Sequence, residues 1–107
     1  MAVSQHYPLD EFQRLKSEAA EGRVRAIRSQ IALSLTFCSI AESQLKLGYT
    51  DQTRKVLEKL QRFAATIRRH LGEPDHVPSE HIEAVRTELA ILESKILALE
   101  ERKQRNR

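Results

Sequence analysis

The stretch that most constrains the fold is Ile31 to Ala41, where apolar residues cover most of the circumference of a helical pattern. An ordinary amphipathic helix buries a single face roughly 100° wide. The apolar positions around this stretch divide instead between two faces. One face has Ile31, Leu35, Cys38, Ala41 and Leu45, and the other has Leu33, Phe37, Ile40 and Leu47. The pattern predicts helices on two sides of this segment, with Leu35 buried toward one neighbour and Ile40 toward the other.

Three helical patterns, with apolar residues every three or four positions, follow one another along the chain. They cover about residues 9–47, 51–71 and 79–103, and residues 1–7 and 104–107 are predicted to fray. Gly48 ends the first pattern, and Gly72 with Pro74 ends the second. Gly22 lies inside the first pattern, where a continuous helix is favoured over a kink because its neighbours are good helix formers.

The connection around Gly48 is so short that the first two helices must form an antiparallel hairpin. The third pattern is the most regular, because its apolar residues alternate at intervals of three and four as in knobs-into-holes packing. These residues are Ile82, Val85, Leu89, Leu92, Ile96 and Leu99. The predicted fold is a single all-α domain, an up-down-up three-helix bundle with a long central first helix.

The first pattern is longer than the other two, so one end of it has no partner within the chain. At 1.5 Å per residue the first helix spans roughly 58 Å, against roughly 32 Å and 39 Å for the others. The apolar residues left uncovered are Leu9, Phe12, Leu15 and Ala19. Either a break at Gly22 folds this segment back as a fourth helix, or a second chain covers it. We predict an antiparallel homodimer, because the region of Gly22 lacks the turn residues that a reversal needs.

One helical hairpin carries a family resemblance. Its characteristic positions are Ala41, Leu45, Gly48, a small residue at Thr53, Leu57 and Leu60. In these residues the segment 41–67 resembles the inner turn of a tetratricopeptide repeat. The resemblance implies an antiparallel helix hairpin of the kind that serves as a protein-docking scaffold.

The second helical pattern, residues 50–71, has six cations and two anions and thus a net charge of +4, although the whole chain is formally only +3. One of its faces, opposite the apolar stripe, has four cations: Lys55, Lys59, Arg62 and Arg69. Such a basic stripe can follow a phosphate backbone or an acidic protein surface, although it can also be an ordinary solvated face. Nucleic acid is the less favoured partner, because no aromatic residue is interleaved for base stacking and the short helices of a helix-turn-helix are missing.

The region around the second loop gathers metal-ligating residue types, namely His70, Glu73, Asp75, His76, Glu80 and His81. Glu73 and His76 have a spacing that shares one face only within a helix, and Gly72 and Pro74 prevent a helix there, so no metal site is predicted. His70 lies too close to a helix end for a phosphorelay histidine. No Ser, Cys or Lys is accompanied by a plausible base, so neither an enzyme nor a cofactor is predicted.

The remaining signals concern the compartment and the single cysteine. Cys38 has apolar helical neighbours and is predicted to be a buried core residue. The sequence shows neither a signal-peptide pattern nor an apolar run of about 20 residues, so we expect a cytoplasmic protein without membrane contact. These features predict a small helical protein–protein interaction or scaffold module without catalytic activity, and one that self-associates. The alternative is an accessory nucleic-acid-binding protein that uses the basic stripe.

Overall fold

Helical periodicity extends over almost the whole chain, and the structure follows it. The computed structural model describes residues 3–74 and 76–105, with side chains from residue 9, and in these residues it contains three α-helices and no strand. Helix α1 spans Val3–Lys46, α2 spans Thr50–Gly72 and α3 spans Ser79–Arg105. The predicted all-α three-helix fold is therefore confirmed.

The helix boundaries lie close to the predicted ones except at the start of α1. This helix begins at Val3, ahead of the predicted start at residue 9, since residues 3–7 contain neither glycine nor proline that would stop it. The outermost of the residues predicted to fray, 1–2 and 106–107, fall outside the described residues.

The turn between α1 and α2 is closed by Gly48. Its φ of 81° lies in the left-handed region, where a residue with a side chain is strained. The Gly48 amide donates to the Leu45 carbonyl at 3.1 Å, and the Tyr49 amide donates to the Gln44 carbonyl at 2.8 Å. This pair of hydrogen bonds is the Schellman motif, which satisfies the last carbonyls of α1 and reverses the chain within three residues. The predicted antiparallel hairpin follows from it.

Polar contacts between the helices show the up-down-up order. Arg28 pairs with Glu88 at 2.6 Å, and Glu42 pairs with Arg102 at 3.4 Å, so residue numbers rise together along α1 and α3. Between α2 and α3 they run in opposite directions, because Gln61 bonds to Glu100 and Arg68 to Glu93. Every pair of helices is in contact, so the three axes form a triangle in cross-section. These ion pairs are exposed and contribute little stability, but they record the register of the bundle.

The core lies on the axis of this triangle, and each helix contributes one stripe to it. The α3 prediction is confirmed, since five of its six heptad residues are buried and Ile82 packs against them. Cys38 is also buried as predicted. The buried apolar residues are Val24, Ile27, Ile31, Cys38, Ala41 and Leu45 of α1, Leu57, Leu60, Ala64 and Ile67 of α2, Val77 of the loop, and Val85, Leu89, Leu92, Ile96 and Leu99 of α3.

The expectation that α1 buries two faces is wrong. Helix α1 does pack against both α2 and α3. However, Ile40 is 42% exposed, and the other three residues of its face are also exposed, while Leu35 is half-buried against α3. The reason is geometric: α2 and α3 touch each other, so both lie on the same side of α1. One stripe of α1 is enough to contact both helices, and the second apolar face is left over.

The loop between α2 and α3 is anchored by Val77, whose side chain is buried in the core. The Nε of Arg23 donates to the carbonyl of His76 at 3.0 Å and so fixes the loop against α1. No core residue is predicted in this loop from the sequence. A single valine flanked by His76 and Pro78 gives no periodic signal, so only its tertiary contacts identify it as part of the core.

Candidate interaction surfaces

The exposed α1 face, which comprises Leu33, Phe37, Ile40 and Leu47, is the first candidate surface. These side chains are spaced by four, three and seven residues and therefore lie on one side of the helix. Each is between 41% and 65% exposed. Single exposed apolar residues are common on monomeric proteins, but an aligned row of large ones marks a surface that contacts something else.

The N-terminal part of α1 forms the second candidate surface, because it projects beyond the bundle. Helix α1 runs through Gly22 without a break, so the continuous helix is confirmed and no fourth helix folds back. Its first buried side chain among those described is Val24. Between residues 9 and 19, the predicted self-association residues are all exposed to solvent: Leu9, Phe12, Leu15 and Ala19. We call residues 3–19 the overhang.

Leu15 and Ala19 of the overhang lie on the same side of the helix as the exposed α1 face, whereas Leu9 is in line with the buried Ile27. Leu15 and Leu33 are 18 residues apart, which corresponds to about five full turns at 3.6 residues per turn. The longest dimension of the molecule, 73 Å, is close to the roughly 66 Å length of a 44-residue helix. The length of the molecule is therefore set by α1, and an apolar side of that helix faces solvent at both of its ends.

The basic stripe is the third candidate surface. Its four cations are exposed on α2, opposite the buried residues of that helix. Other cations of α2 are neutralised, Arg54 by Glu58 at 3.3 Å and Arg68 by Glu93. By contrast, none of the four stripe residues forms an ion pair within the part of the chain that the structure describes. From Lys55 to Arg69 the stripe extends over 15 residues, or about 21 Å of helix, as an un-neutralised row of positive charge.

The histidine cluster comprises His70, Glu73 and His76 at the end of α2. Glu73 Oε2 lies 3.7 Å from Nδ1 of His70 and 3.5 Å from Nδ1 of His76. The two imidazole rings stack, with centroids 4.4 Å apart and planes 10° apart. A metal ion bound to imidazole lies close to the ring plane, at about 2.0–2.1 Å from the nitrogen. Two nearly parallel stacked rings cannot both meet that condition for one ion, so this geometry favours a packing role.

The other potential ligands of this region lie elsewhere. His81 Nε2 is 3.0 Å from Oε1 of Glu21 and 3.7 Å from Oε1 of Glu80, so it joins the start of α3 to α1. These three residues form a separate group from the histidine cluster. Asp75 lies outside the described residues. The other five residues are thus divided between two contacts that hold the loop in place.

Cys38 faces the contact between α1 and α3. Burial raises the pKa of its thiol, and the positive charge of Lys95 opposes that shift in part. A raised pKa disfavours the thiolate, which is the nucleophilic and metal-binding form. The environment of Cys38 is therefore that of a packed core residue.

The exposed α1 face is the surface that the sequence analysis assigned wrongly, as part of the core. One signal in the sequence could have identified it. Each of α2 and α3 offers a single apolar stripe, and that stripe must cover the other short helix as well as α1. Two stripes of this kind cannot cover a second face of α1. Since α1 has two apolar faces and α2 and α3 have one each, one face of α1 is expected to stay uncovered.

Neither a membrane span, within the described helices, nor a similar protein is found for this chain. No described helix combines the length and the apolar character needed to cross a bilayer. No family model matches the chain, and neither a curated protein nor a solved structure matches it.

Proposed function

We propose that this protein is a small helical protein–protein interaction module, or scaffold, that acts through the apolar side of α1. The observation that supports this proposal is the uncovered row formed by the exposed α1 face and the overhang. Of the ten large apolar side chains that are exposed among the described residues, six belong to α1 and Leu47 follows it directly. A helix side of this kind loses unfavourable hydration when another protein surface covers it.

The proposal assigns no catalytic activity and no cofactor to the chain. In support, the polar clusters at the loop join helices together, and the thiol of Cys38 is buried. The hairpin of residues 41–67 contributes the rigid support: Ala41, Thr53 and Leu57 are fully buried at the α1–α2 contact. Its likeness to a tetratricopeptide repeat and a cytoplasmic location stay predictions.

The first test is capture from a native lysate. We expect the wild-type chain to retain bound protein, and the variant Phe37→Asp/Ile40→Asp to retain none, because two carboxylates on the apolar row oppose its burial. The matched control is Ile91→Asp/Leu97→Asp, which places the same charges at exposed apolar positions of α3. Retention by the α1 variant, or loss of binding only in the α3 variant, contradicts the proposed surface.

A second candidate function is nucleic-acid or acidic-partner binding by the basic stripe. It is supported by the observation that, among the described residues, none of the four cations forms an ion pair. The predicted measurement is fluorescence anisotropy of a labelled duplex titrated at several salt concentrations. We expect no binding of random duplex DNA at physiological salt. If four phosphates were neutralised, the slope of log K against log salt would be about −3.6.

Charge reversal then shows whether the basic stripe carries any binding seen at low salt. The variant Lys59→Glu/Arg62→Glu is expected to abolish it without unfolding the protein, since both side chains are exposed. The control Lys95→Glu/Arg105→Glu makes the same change in net charge at two exposed cations of α3, away from the stripe. Micromolar affinity at physiological salt with a steep salt slope would make this function the first candidate.

A further inference from the structure

The exposed side of α1 has a heptad pattern of its own, and none of the residues in this pattern belongs to the core. From Leu15 onward the intervals alternate strictly between four and three residues for 32 residues, or about 48 Å of helix. None of these positions carries a charge, and all are exposed except Gly22, which is half-exposed. The residues are Leu15, Ala19, Gly22, Ala26, Ser29, Leu33, Thr36, Ile40, Ser43 and Leu47, and we call them the heptad stripe.

When two copies of the heptad stripe pack antiparallel, small residues of one copy lie opposite larger residues of the other near the centre of the contact. An antiparallel copy centred on residue 31 places small residues opposite larger ones: Gly22 opposite Ile40, Ala26 opposite Thr36 and Ser29 opposite Leu33. Ala19 then meets Ser43, and the two leucines at the ends, Leu15 and Leu47, meet each other. A parallel copy would instead set Ile40 against Ile40 and Gly22 against Gly22, which crowds one half and leaves gaps in the other.

Gly22 gives an independent indication of a second helix. A glycine inside a helix is less favourable than alanine, because the glycine backbone loses more conformational freedom on folding. Within the chain nothing requires it, because an added Cβ would meet only the flexible end of Arg25, at an ordinary distance of 3.8 Å. A close approach of the partner's Ile40 would require it, since a side chain at residue 22 would hold the two helices apart.

The ends and the area of the stripe also fit a second copy. In this register Phe12 of the overhang lies level with the turn of the partner, where Leu47 and Tyr49 are exposed. Two helices in contact along ~48 Å, with a contact about 10 Å wide, bury roughly 1,000 Å² in total, which is at the lower end for specific interfaces. The uncharged stripe matches an uncharged partner and offers nothing to an acidic or basic one.

We infer that a second copy of this chain packs on the heptad stripe as an antiparallel homodimer centred near Ile31, with Gly22 of each copy against Ile40 of the other. This inference rests on the proposed function, since it names the protein that covers the apolar side of α1. In this register residues 14–19 of each overhang lie beside residues 43–48 of the partner, and the rest of the overhang extends past the partner's Gly48 turn.

Disulfide crosslinking of mixed variants tests the direction and the register. In a Cys38→Ala background, Ala19→Cys and Ser43→Cys are purified separately, mixed and mildly oxidised. We expect crosslinked dimers in the mixture and few in either variant alone, because residue 19 of one chain faces residue 43 of the other. Efficient linkage within each variant alone indicates a parallel pair and overturns the inference, as does a lack of linkage in the mixture.

Sedimentation of the purified wild-type chain separates this inference from the proposed function. We expect a dimer at tens of micromolar and a dissociation constant at least ~30-fold higher for Ile40→Asp, the loss typical of a hot-spot residue. The control Leu97→Asp should leave the constant unchanged. A monomeric wild type overturns the dimer, and the proposed function then stands only if lysate capture still depends on Phe37 and Ile40. A monomer that binds phosphatidylcholine vesicles through Ile40 also overturns it.

Discussion

Replacing Ala41 with aspartate is expected to leave the chain largely unfolded at neutral pH. Ala41 is 0% exposed and lies where α1 packs against α2, so a carboxylate there has neither room nor water. An unpaired buried charge belongs to the small class of substitutions that destabilise a protein by about 4 kcal/mol or more. That is a large part of the ~5–15 kcal/mol that stabilises a typical domain. Far-ultraviolet circular dichroism and urea denaturation measure the loss.

The matched control for this prediction is Ala32→Asp. Ala32 lies on the same helix, one turn after Arg28, and it is exposed. The same change of side chain should therefore stay within about 0.5 kcal/mol of the wild type, as is usual for surface positions. Equal stability of the two variants would contradict the position of α1 in the bundle. A folded Ala41→Asp protein would show that the α1–α2 contact is looser than the structure has it.

Replacing Ile31 with alanine is expected to lower the free energy of unfolding by roughly 2–5 kcal/mol, because Ile31 is 1% exposed and its loss leaves a cavity. The same substitution at Ile40, on the exposed α1 face, should change it by no more than about 0.5 kcal/mol. Urea denaturation measures both, at a dilution where the chain is monomeric, so that contacts with a second copy do not contribute. A large loss of unfolding free energy for Ile40→Ala in the monomer would contradict the exposed position of Ile40 and would indicate that both apolar faces of α1 are buried.

If the dimer forms, the stabilities of the two variants should depend differently on protein concentration. Ile31 lies on the far side of α1 from the heptad stripe, so its truncation affects the fold at every concentration. Ile40 contributes through the partner, so its truncation should matter only where the dimer is populated, since stability then depends on protein concentration. The two variants together therefore distinguish residues that stabilise the bundle from residues that stabilise the dimer.

The sequence alone determined the parts of this protein that depend on local chemistry. The three helices, the Gly48 turn and the heptad of α3 follow from residue spacing and from the left-handed conformation that glycine accepts. The row of cations on α2 follows from the sequence in the same way, because residues three or four positions apart lie on one side of a helix. The overhang was predicted from the relative lengths of the helices.

Which apolar stripe of α1 enters the core depends instead on how the three helices pack. Periodicity shows that the faces of Ile31 and Ile40 are both apolar, but their burial depends on where α2 and α3 lie around α1. Because those two helices touch each other, they occupy one side of α1 and cover the Ile31 face alone. The burial of Val77 and the stacking of His70 on His76 are also tertiary, since they join residues across a loop that has no repeating pattern.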